Sequence, residues 1–274
     1  MDVPFIDLIP EDLQNNKWFD TVQKIIADRD FDNFSPYDDN VNWHDSGYGD
    51  GFVKEGYGTL LAHFRKDVPV KLLTIAKEII WDGKGVKVET DQGTISAKAC
   101  IVTVSTGVLN AGKIKFTPAL PTKKYEAFDG IIISNYYRIT LQLKEEFYKK
   151  YRITPDMYFY TKVNSNKSKS PKSANGLLRV HKTNISFFNV KGQFAKDLEA
   201  EGSKASIDFV LNDLRSTFGS KFDEYLIKAH VAGWGKNPFT IGAYSGAKPG
   251  KARLRGVLKE SVGDRIFFTG EATA

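Results

Sequence analysis

The chain has 274 residues, of which 41% are hydrophobic and 26% charged, so we expect a globular protein with a substantial core and exclude global disorder. The net charge is +6, but the basic residues are spread along the chain except for one cluster at 162–172. A single cysteine, Cys100, excludes an internal disulfide framework and fits a reducing compartment. The sequence shows neither an apolar run of membrane-spanning length nor the pattern of a signal peptide, so we expect a cytoplasmic protein.

The first fifty residues predict a helix followed by irregular chain. Residues 11–30 indicate a packing helix, because their apolar side chains recur at helical spacing. These side chains are Trp18, Val22, Ile25 and Ile26. Residues 31–50 are rich in Asp, Asn, Ser and Gly and predict no regular structure. His44 and Asp45 suggest a metal site only weakly, since no second ligand lies nearby in the sequence, and we interpret them as loop residues.

The segment that follows predicts a β-meander. A helix is expected at 59–64, and one or two strands at 68–81. Alternation predicts a half-exposed strand at 86–90, and the run at 94–104 predicts a strand pair. Turns with glycine separate these strands, and Cys100 is interpreted as a small core residue of the last one.

The middle of the chain predicts a separate layer of strands and helices. Strands are expected at 131–143, 157–163, 177–180 and 185–190. Residues 164–175 are polar and rich in Lys and Ser, which is typical of a loop. A helix with one apolar face is predicted to be capped by Ser203 and to stop at Gly219.

The C-terminal run D-R-I-F-F-T-G-E-A-T-A predicts a short buried strand at 265–268 that ends in a Gly270-Glu271 turn. Sheets of α/β proteins place ligands beyond the carboxyl ends of their strands, so this turn is a candidate site. A G-x-G-x-x-G turn, whose backbone would approach a pyrophosphate, does not follow an apolar strand near the N-terminus of this sequence.

Two runs together resemble the flavin-containing amine oxidases, a family that includes monoamine oxidases, polyamine oxidases and lysine-specific histone demethylases. One is W-G-K-N-P-F-T-I-G-A-Y-S-G with the D-R-I-F-F-T-G-E-A-T segment that follows it. The other is A-C-I-V-T-V-S-T-G-V-L-N-A-G-K-I-K-F-T-P-A-L-P, whose exit is closest to the polyamine oxidases. The Ser105-Thr106 pair departs from the Pro-Leu that the family usually has there.

The resemblance implies a mixed α/β and α+β fold: part of a Rossmann-type FAD-binding domain joined to a mixed-sheet substrate domain. It assigns residues 1–50 to a helical part of the substrate domain and 51–121 to the FAD-binding domain. Residues 122–232 are assigned to the substrate domain, and 233–274 to the C-terminal part of the FAD-binding domain. The family's N-terminal βαβ unit and last helix are not matched, so we expect an incomplete portion of such an enzyme.

The resemblance also implies catalytic positions. Tyr244 falls at an aromatic position that faces the flavin, where a ring attracts a substrate amine through its negative face. Arg138 falls at the position of the catalytic lysine that holds a water against the flavin. An arginine keeps the charge but presents a planar fork, so that function is either retained or lost.

The same resemblance implies cofactor contacts. The Glu271 carboxylate would accept hydrogen bonds from flavin hydroxyls, and Gly270 would let the backbone come close. Further cofactor contacts are implied at Ala76, Trp234, Gly242 and Ala243. Ala243 replaces the cysteine that joins flavin covalently in monoamine oxidases, so non-covalent FAD is expected, held weakly or not at all by this portion alone.

The implied reaction is FAD-dependent oxidation of a small-molecule amine, in which hydride passes to flavin, the imine hydrolyses to an aldehyde, and O2 becomes H2O2. An alternative is a non-catalytic binding or interaction module, which the arginine at 138 favours. A nucleic-acid binder acting through the cluster at 162–172 is a third reading, but no recognisable module supports it, and we expect neither nucleic-acid nor membrane partners.

Overall fold

The computed structural model describes residues 2–16, 19, 30–42, 51–161 and 172–273, and every structural statement below concerns these residues. Most of the helix expected at 11–30, the side chains of His44 and Asp45, and most of the basic cluster at 162–172 lie outside them. None of the described helices has both the length and the apolar composition that crossing a bilayer requires.

The described elements alternate irregularly between helix and strand. The strands are β1 (Ala76–Ile80), β2 (Val86–Thr90), β3 (Gly93–Ala97), β4 (Cys100–Val102), β5 (Lys115–Thr117), β6 (Ile131–Ile133), β7 (Tyr136–Leu143), β8 (Met157–Tyr160), β9 (Asn175–Leu178), β10 (Ile185–Lys191), β11 (Leu226–Gly233), β12 (Ser245–Ala247) and β13 (Ile266–Phe268). The α-helices are α1 (Glu11–Gln14), α2 (Pro36–Asn42), α3 (Tyr57–Phe64), α4 (Thr106–Asn110), α5 (Thr122–Gly130), α6 (Glu145–Lys150), α7 (Gly192–Glu201), α8 (Ser203–Phe218) and α9 (Leu254–Lys259).

A four-stranded sheet with the order β3-β2-β1-β5 forms the expected meander. Strands β1, β2 and β3 pair antiparallel in sequence, and β5 pairs parallel to β1. The strand predicted from residue 68 begins only at Ala76, because the apolar side chains before it remain exposed instead of packing in a sheet.

Strands β4 and β13, which lie far apart in the sequence, form a parallel pair. Cys100 lies opposite Ile266, and Val102 lies opposite Phe268. Val102, Ile266 and Phe268 are buried in a core that also includes α5 and α9. Cys100 is half-buried against the same core, and its burial raises the pKa of the thiol. A strand of the segment 51–121 therefore pairs with a strand of the segment 233–274, the two segments that the resemblance assigns to one domain.

The five-stranded antiparallel sheet, in the order β11-β7-β10-β9-β8, forms a second layer with its own core. Along β7, Tyr137, Ile139, Leu141 and Leu143 are buried and alternate with half-buried residues, as expected for a sheet with one face in a core. Helices α7 and α8 cover that buried face. We call the opposite face the open sheet face.

The structure corrects several expectations about individual elements. Part of 31–50 is helical, since α2 occupies Pro36–Asn42, and α7 was not predicted at all. The strand expected at 131–143 is two strands, β6 and β7, with a break at Ser134. Ser203 is the first residue of α8 and not its cap, because Gly202, with a φ of 99°, occupies the N-cap position without a side-chain hydrogen bond.

Candidate functional site

The Gly270-Glu271 turn lies where the parallel pair of strands ends. The ladder continues one step beyond β13, since Thr269 N donates to Val102 O at 3.1 Å. Gly270 then adopts a φ of 121°, a left-handed conformation that glycine adopts without strain. Gly270 and Glu271 are both exposed, so the turn is open to a ligand at the carboxyl edge of the pair.

Glu271 is held by the strand that neighbours it in space. Its Oε1 and Oε2 accept from Ser245 N at 3.0 and 3.1 Å, and Oε1 also accepts from Ser245 Oγ at 3.0 Å. A carboxylate that accepts a backbone N–H and a hydroxyl is fixed in orientation. Ser245 belongs to the C-terminal motif but was not predicted as a site residue, and in the structure it orients Glu271.

A buried ion pair supports this contact from behind. Arg255 Nε and Nη2 donate to the two oxygens of Asp38 at 2.7 and 2.9 Å. Arg255 Nη1 donates to Ser245 Oγ at 3.0 Å and to Ala272 O at 2.9 Å. The pair therefore ties α2 and α9 to the turn that carries Glu271. Neither residue had been recognised from the sequence, because an ion pair between distant segments leaves no local pattern.

The N-terminal segment is joined to the same region. Asp2 accepts from Ser35 Oγ at 2.6 Å and from Ala252 N at 3.0 Å. Burial alone would raise the pKa of Asp2, but the hydrogen bonds from Ser35, Ala252 and Gly250 outweigh burial, and the pKa is lowered. The carboxylate is therefore stabilised as an anion where the N-terminus meets the chain before α9.

Lys124 is a buried lysine that lies against the ring of Phe268 in β13. Its side chain is fully buried, and Nζ donates to the carbonyls of Val257 at 2.8 Å and Leu258 at 2.9 Å, and to that of Glu260. These carbonyls belong to the C-terminal end of α9, where a cation complements the helix dipole. Burial lowers the pKa of Lys124 to about 8, although the charge of Glu260 opposes the change.

Tyr244 and Arg138 are connected through a second tyrosine. The rings of Tyr244 and Tyr136 have centroids 5.7 Å apart, and Tyr136 Oη lies 3.4 Å from Arg138 Nη2. Arg138 Nε donates to Asn189 Oδ1 at 2.8 Å, and the guanidinium carbon lies 4.1 Å from the centroid of the Phe187 ring. Both predicted catalytic residues thus belong to one cluster on the open sheet face. Tyr136, Asn189 and Phe187 were not identified from the sequence.

The loop after β11 places the remaining C-terminal residues. Gly242 N and Thr240 Oγ1 donate to Trp234 O at 3.0 and 2.8 Å, which closes the loop, while Trp234 as a residue remains 46% exposed. Ala243 N donates to Ser134 O at 3.1 Å. Gly242, Ala243 and Tyr244 therefore run beside the break between β6 and β7, next to the tyrosine pair.

Ala76 lies apart from this cluster. It starts β1 opposite Thr90. Its neighbour Ile75 lines a crevice of about 470 Å³, and Phe239 of the C-terminal loop also lines it. Among the described residues, the hydrogen bonds and ring contacts that join Tyr136, Arg138 and Tyr244 do not involve Ala76. Two buried hydroxyls near the site, Thr106 Oγ1 and Ser134 Oγ, have no hydrogen-bond partner in the described part of the chain.

The fold is a mixed α/β fold, and the candidate site lies at the carboxyl edge of the β4–β13 pair. A redesigned putrescine oxidase has the same fold, with a TM-score of 0.62 over 80% of this chain and 48% of that chain, at 16% identity. Residues 31–274 match the family described as flavin containing amine oxidoreductase, and the chain belongs to that family.

Among curated relatives, polyamine oxidase 4 of Oryza sativa subsp. japonica is 27% identical over 82% of this chain and 45% of its own length. Polyamine oxidase 2 of Arabidopsis thaliana is 29% identical over 82% of this chain and 44% of its own length. The chain thus spans less than half the length of these relatives.

Proposed function

We propose that this chain contributes the C-terminal flavin contacts and the substrate layer of an FAD-dependent amine oxidase. The observation that carries the proposal is the meeting of β4 and β13, which puts the exposed Gly270-Glu271 turn beside the strand that begins one residue after Tyr244. The candidate cofactor edge and the aromatic cluster are thereby adjacent, because Ser245, which contacts Glu271, directly follows Tyr244 in the chain.

The residues at this edge fit a flavin. Gly270 lets a ligand approach the backbone, and the Glu271 carboxylate, fixed by Ser245, can accept from hydroxyl groups. Ala243 cannot form a covalent bond to flavin, so FAD would be held non-covalently. The bound FAD would accept hydride from the carbon next to the amine nitrogen and pass electrons to O2.

The chain's own residues would bind and orient the amine. The Tyr244 ring, packed against Tyr136, would guide the ammonium by its negative face. Arg138 would supply the fixed positive charge that a lysine supplies in the family. Trp234 and Gly242 would shape the loop, and Ala76 would offer its backbone to the adenine end of the cofactor.

The decisive experiment measures FAD binding and peroxide release, over a panel of amines, by a polypeptide in which this chain is joined to a βαβ unit of the family. The Glu271→Gln variant is expected to raise the FAD Kd about tenfold, since it removes the charge that accepts hydroxyl hydrogen bonds. Glu260→Gln is the matched control, because Glu260 lies on the surface and pairs with Lys123. Unchanged FAD affinity in Glu271→Gln would refute the cofactor role.

The 274-residue chain by itself is expected to bind FAD weakly or not at all, because it has no G-x-G-x-x-G turn for the pyrophosphate. Flavin absorbance that copurifies with the chain would contradict this expectation. Such a result would be compatible with flavin contacts at the Gly270-Glu271 turn, but it would show that FAD binding does not require a G-x-G-x-x-G turn.

A non-catalytic binding module remains the second candidate, and the arginine at position 138 favours it. The two functions differ in one measurable property. An oxidase releases H2O2 in proportion to amine consumed, whereas a binding module retains its ligand unchanged.

A further inference from the structure

The strands of the open sheet face carry basic and aromatic side chains and no acidic one. Register places the following residues on this face: Tyr136, Arg138, Thr140 and Gln142 of β7, Ile185, Phe187, Asn189 and Lys191 of β10, Asn175 and Leu177 of β9, Tyr158 and Tyr160 of β8, and Lys228, His230 and Ala232 of β11. A face of this charge repels a polycation and attracts an anion.

Arg138 lies near the centre of this face with its guanidinium fixed in orientation. Asn189 Oδ1 accepts from its Nε, and the planar group lies over the Phe187 ring. Its Nη2 makes one long contact to Tyr136 Oη at 3.4 Å. Within the described residues no carboxylate pairs with Arg138, and its Nη1 donates to no protein acceptor. The end of the fork is therefore available to a ligand.

A fork held in this way matches a carboxylate. Arginine binds carboxylates through two parallel N–H···O bonds, and the planar group loses little rotamer freedom when its stem is already fixed. The Phe187 stacking and the Asn189 hydrogen bond fix that stem. A lysine at this position could hold a water or an anion as a point charge but could not give this two-point contact.

The Tyr136 ring lies between Arg138 and Tyr244, the residue at which the amine of a ligand is expected. The Tyr136 ring contacts both the Arg138 guanidinium, 5.9 Å from its centroid, and the Tyr244 ring. We propose that Arg138 binds the carboxylate of a substrate whose amine lies at Tyr244, so that this site takes amino-acid-type amines in preference to polyamines. This inference rests on the proposed function for the amine end, whereas carboxylate binding at Arg138 is independent of it.

The test uses three probes of the same chain length on the 274-residue protein: butyrate, 4-aminobutyrate and 1,4-diaminobutane. Binding is followed by the NMR signal of the Arg138 Nε–H group and by titration calorimetry. We expect butyrate and 4-aminobutyrate to shift the Arg138 signal in a saturable way, while 1,4-diaminobutane leaves it in place. Arg138→Gln is expected to raise the Kd of 4-aminobutyrate at least tenfold.

Two further variants separate recognition from folding. Arg138→Lys keeps the charge without the fork and should lose affinity by about three- to tenfold, with an unchanged circular dichroism spectrum. Arg215→Gln is the matched control, because Arg215 pairs with Asp223 on the surface beside α8, and it should leave the Kd within twofold. Equal affinity in Arg138→Lys and the unsubstituted protein, or tighter binding of 1,4-diaminobutane than of 4-aminobutyrate, would overturn the proposal.

The outcome is distinguishable from failure of the proposed function. If 4-aminobutyrate binds in an Arg138-dependent way and the polypeptide joined to the βαβ unit does not bind FAD, the carboxylate site stands and the oxidase role falls. If FAD binds and peroxide forms from diamines, while 4-aminobutyrate binds with the same Kd in Arg138→Gln as in the unsubstituted protein, the oxidase role stands and the carboxylate inference falls.

Discussion

Arg255 and Asp38 form a buried bidentate ion pair although they lie 217 residues apart in the sequence. Their side chains are only 10% and 7% exposed, and Asp38 also accepts from Ala247 N at 2.8 Å. The pair therefore joins α2 to α9 and β12 in a single contact, and through Ser245 it reaches Glu271. One interaction thus links the N-terminal segment to the candidate cofactor edge.

Removing one member of this pair is expected to destabilise the chain strongly. Arg255→Met leaves Asp38 buried as an uncompensated charge, and such changes cost about 3–5 kcal/mol of unfolding free energy. Urea denaturation followed by tryptophan fluorescence measures the loss. The double variant Arg255→Met with Asp38→Leu should lose less than either single change, because the buried charge disappears together with its partner. A loss below about 1 kcal/mol in the single variant would contradict the finding.

Local patterns predicted the elements whose residues alternate or are strongly apolar. The strand at 86–90 and the end of the chain at 265–268 are found almost where alternation and aromatic content placed them. Helix α2, at Pro36–Asn42, was missed because its sequence P-Y-D-D-N-V-N consists largely of polar residues with turn preference. It is held by Asp38, whose partner lies near the other end of the chain.

The candidate site was predictable only as far as local motifs extend. Tyr244, Gly270 and Glu271 belong to one sequence motif. In the structure Ser245, which follows Tyr244 in the chain, contacts Glu271. The environment of Arg138 depends on Asn189 and Phe187 of the neighbouring strand β10. The pairing of two strands cannot be predicted from the local sequence of either strand. The roles of these residues in catalysis and cofactor binding stay predictions.

Lys124 is expected to make the stability of the chain rise with pH between about 8 and 10.5. Its pKa is lowered from 10.5 to about 8 in the folded chain, mainly by burial. In that window the unfolded chain binds the proton and the folded chain does not, so unfolding takes up a proton and becomes less favourable as pH rises.

The difference in unfolding free energy between the unsubstituted protein and Lys124→Met isolates this effect, because all other titrating groups are shared. We expect the unsubstituted protein to gain stability relative to Lys124→Met as pH rises from 8 to 10.5. Lys115→Met is the matched control, since Lys115 is a surface residue paired with Glu78. A pH-independent difference would show that Lys124 keeps its ordinary pKa.

The outer face of the β4–β13 pair is expected to bind a hydrophobic dye. Ile101 is 66% exposed and Phe267 39% exposed, and they lie opposite each other in the register. Parallel strands are normally covered on both faces, so such a surface attracts apolar ligands. The double variant Ile101→Ser with Phe267→Ser should lower the fluorescence of bound anilinonaphthalene sulfonate while leaving the urea midpoint nearly unchanged.

Val102→Ser is the control for this face, because Val102 alternates with Ile101 and is buried in the core. It should destabilise the chain by about 2 kcal/mol or more, from lost apolar burial and an unsatisfied hydroxyl. Dye binding that stays the same in the double variant would show that the exposed patch lies elsewhere, for instance along the exposed apolar residues at 57–75.

Gly242 is expected to tolerate no side chain. Its φ of 140° is rarely adopted by other residues, and a Cβ would lie within 2.9 Å of Ile133 Cβ and closer still to its Cγ atoms. Gly242→Ala therefore combines backbone strain with a steric clash beside Tyr244, and we expect the free energy of unfolding to fall by about 2–4 kcal/mol.

Gly256→Ala offers a matched comparison, because Gly256 lies within α9 with nothing near the added methyl. That change should stabilise the chain by about 0.5–1 kcal/mol, since alanine favours a helix. Equal effects of the two substitutions on the thermal midpoint would show that the loop from Trp234 to Tyr244 is not held against β6.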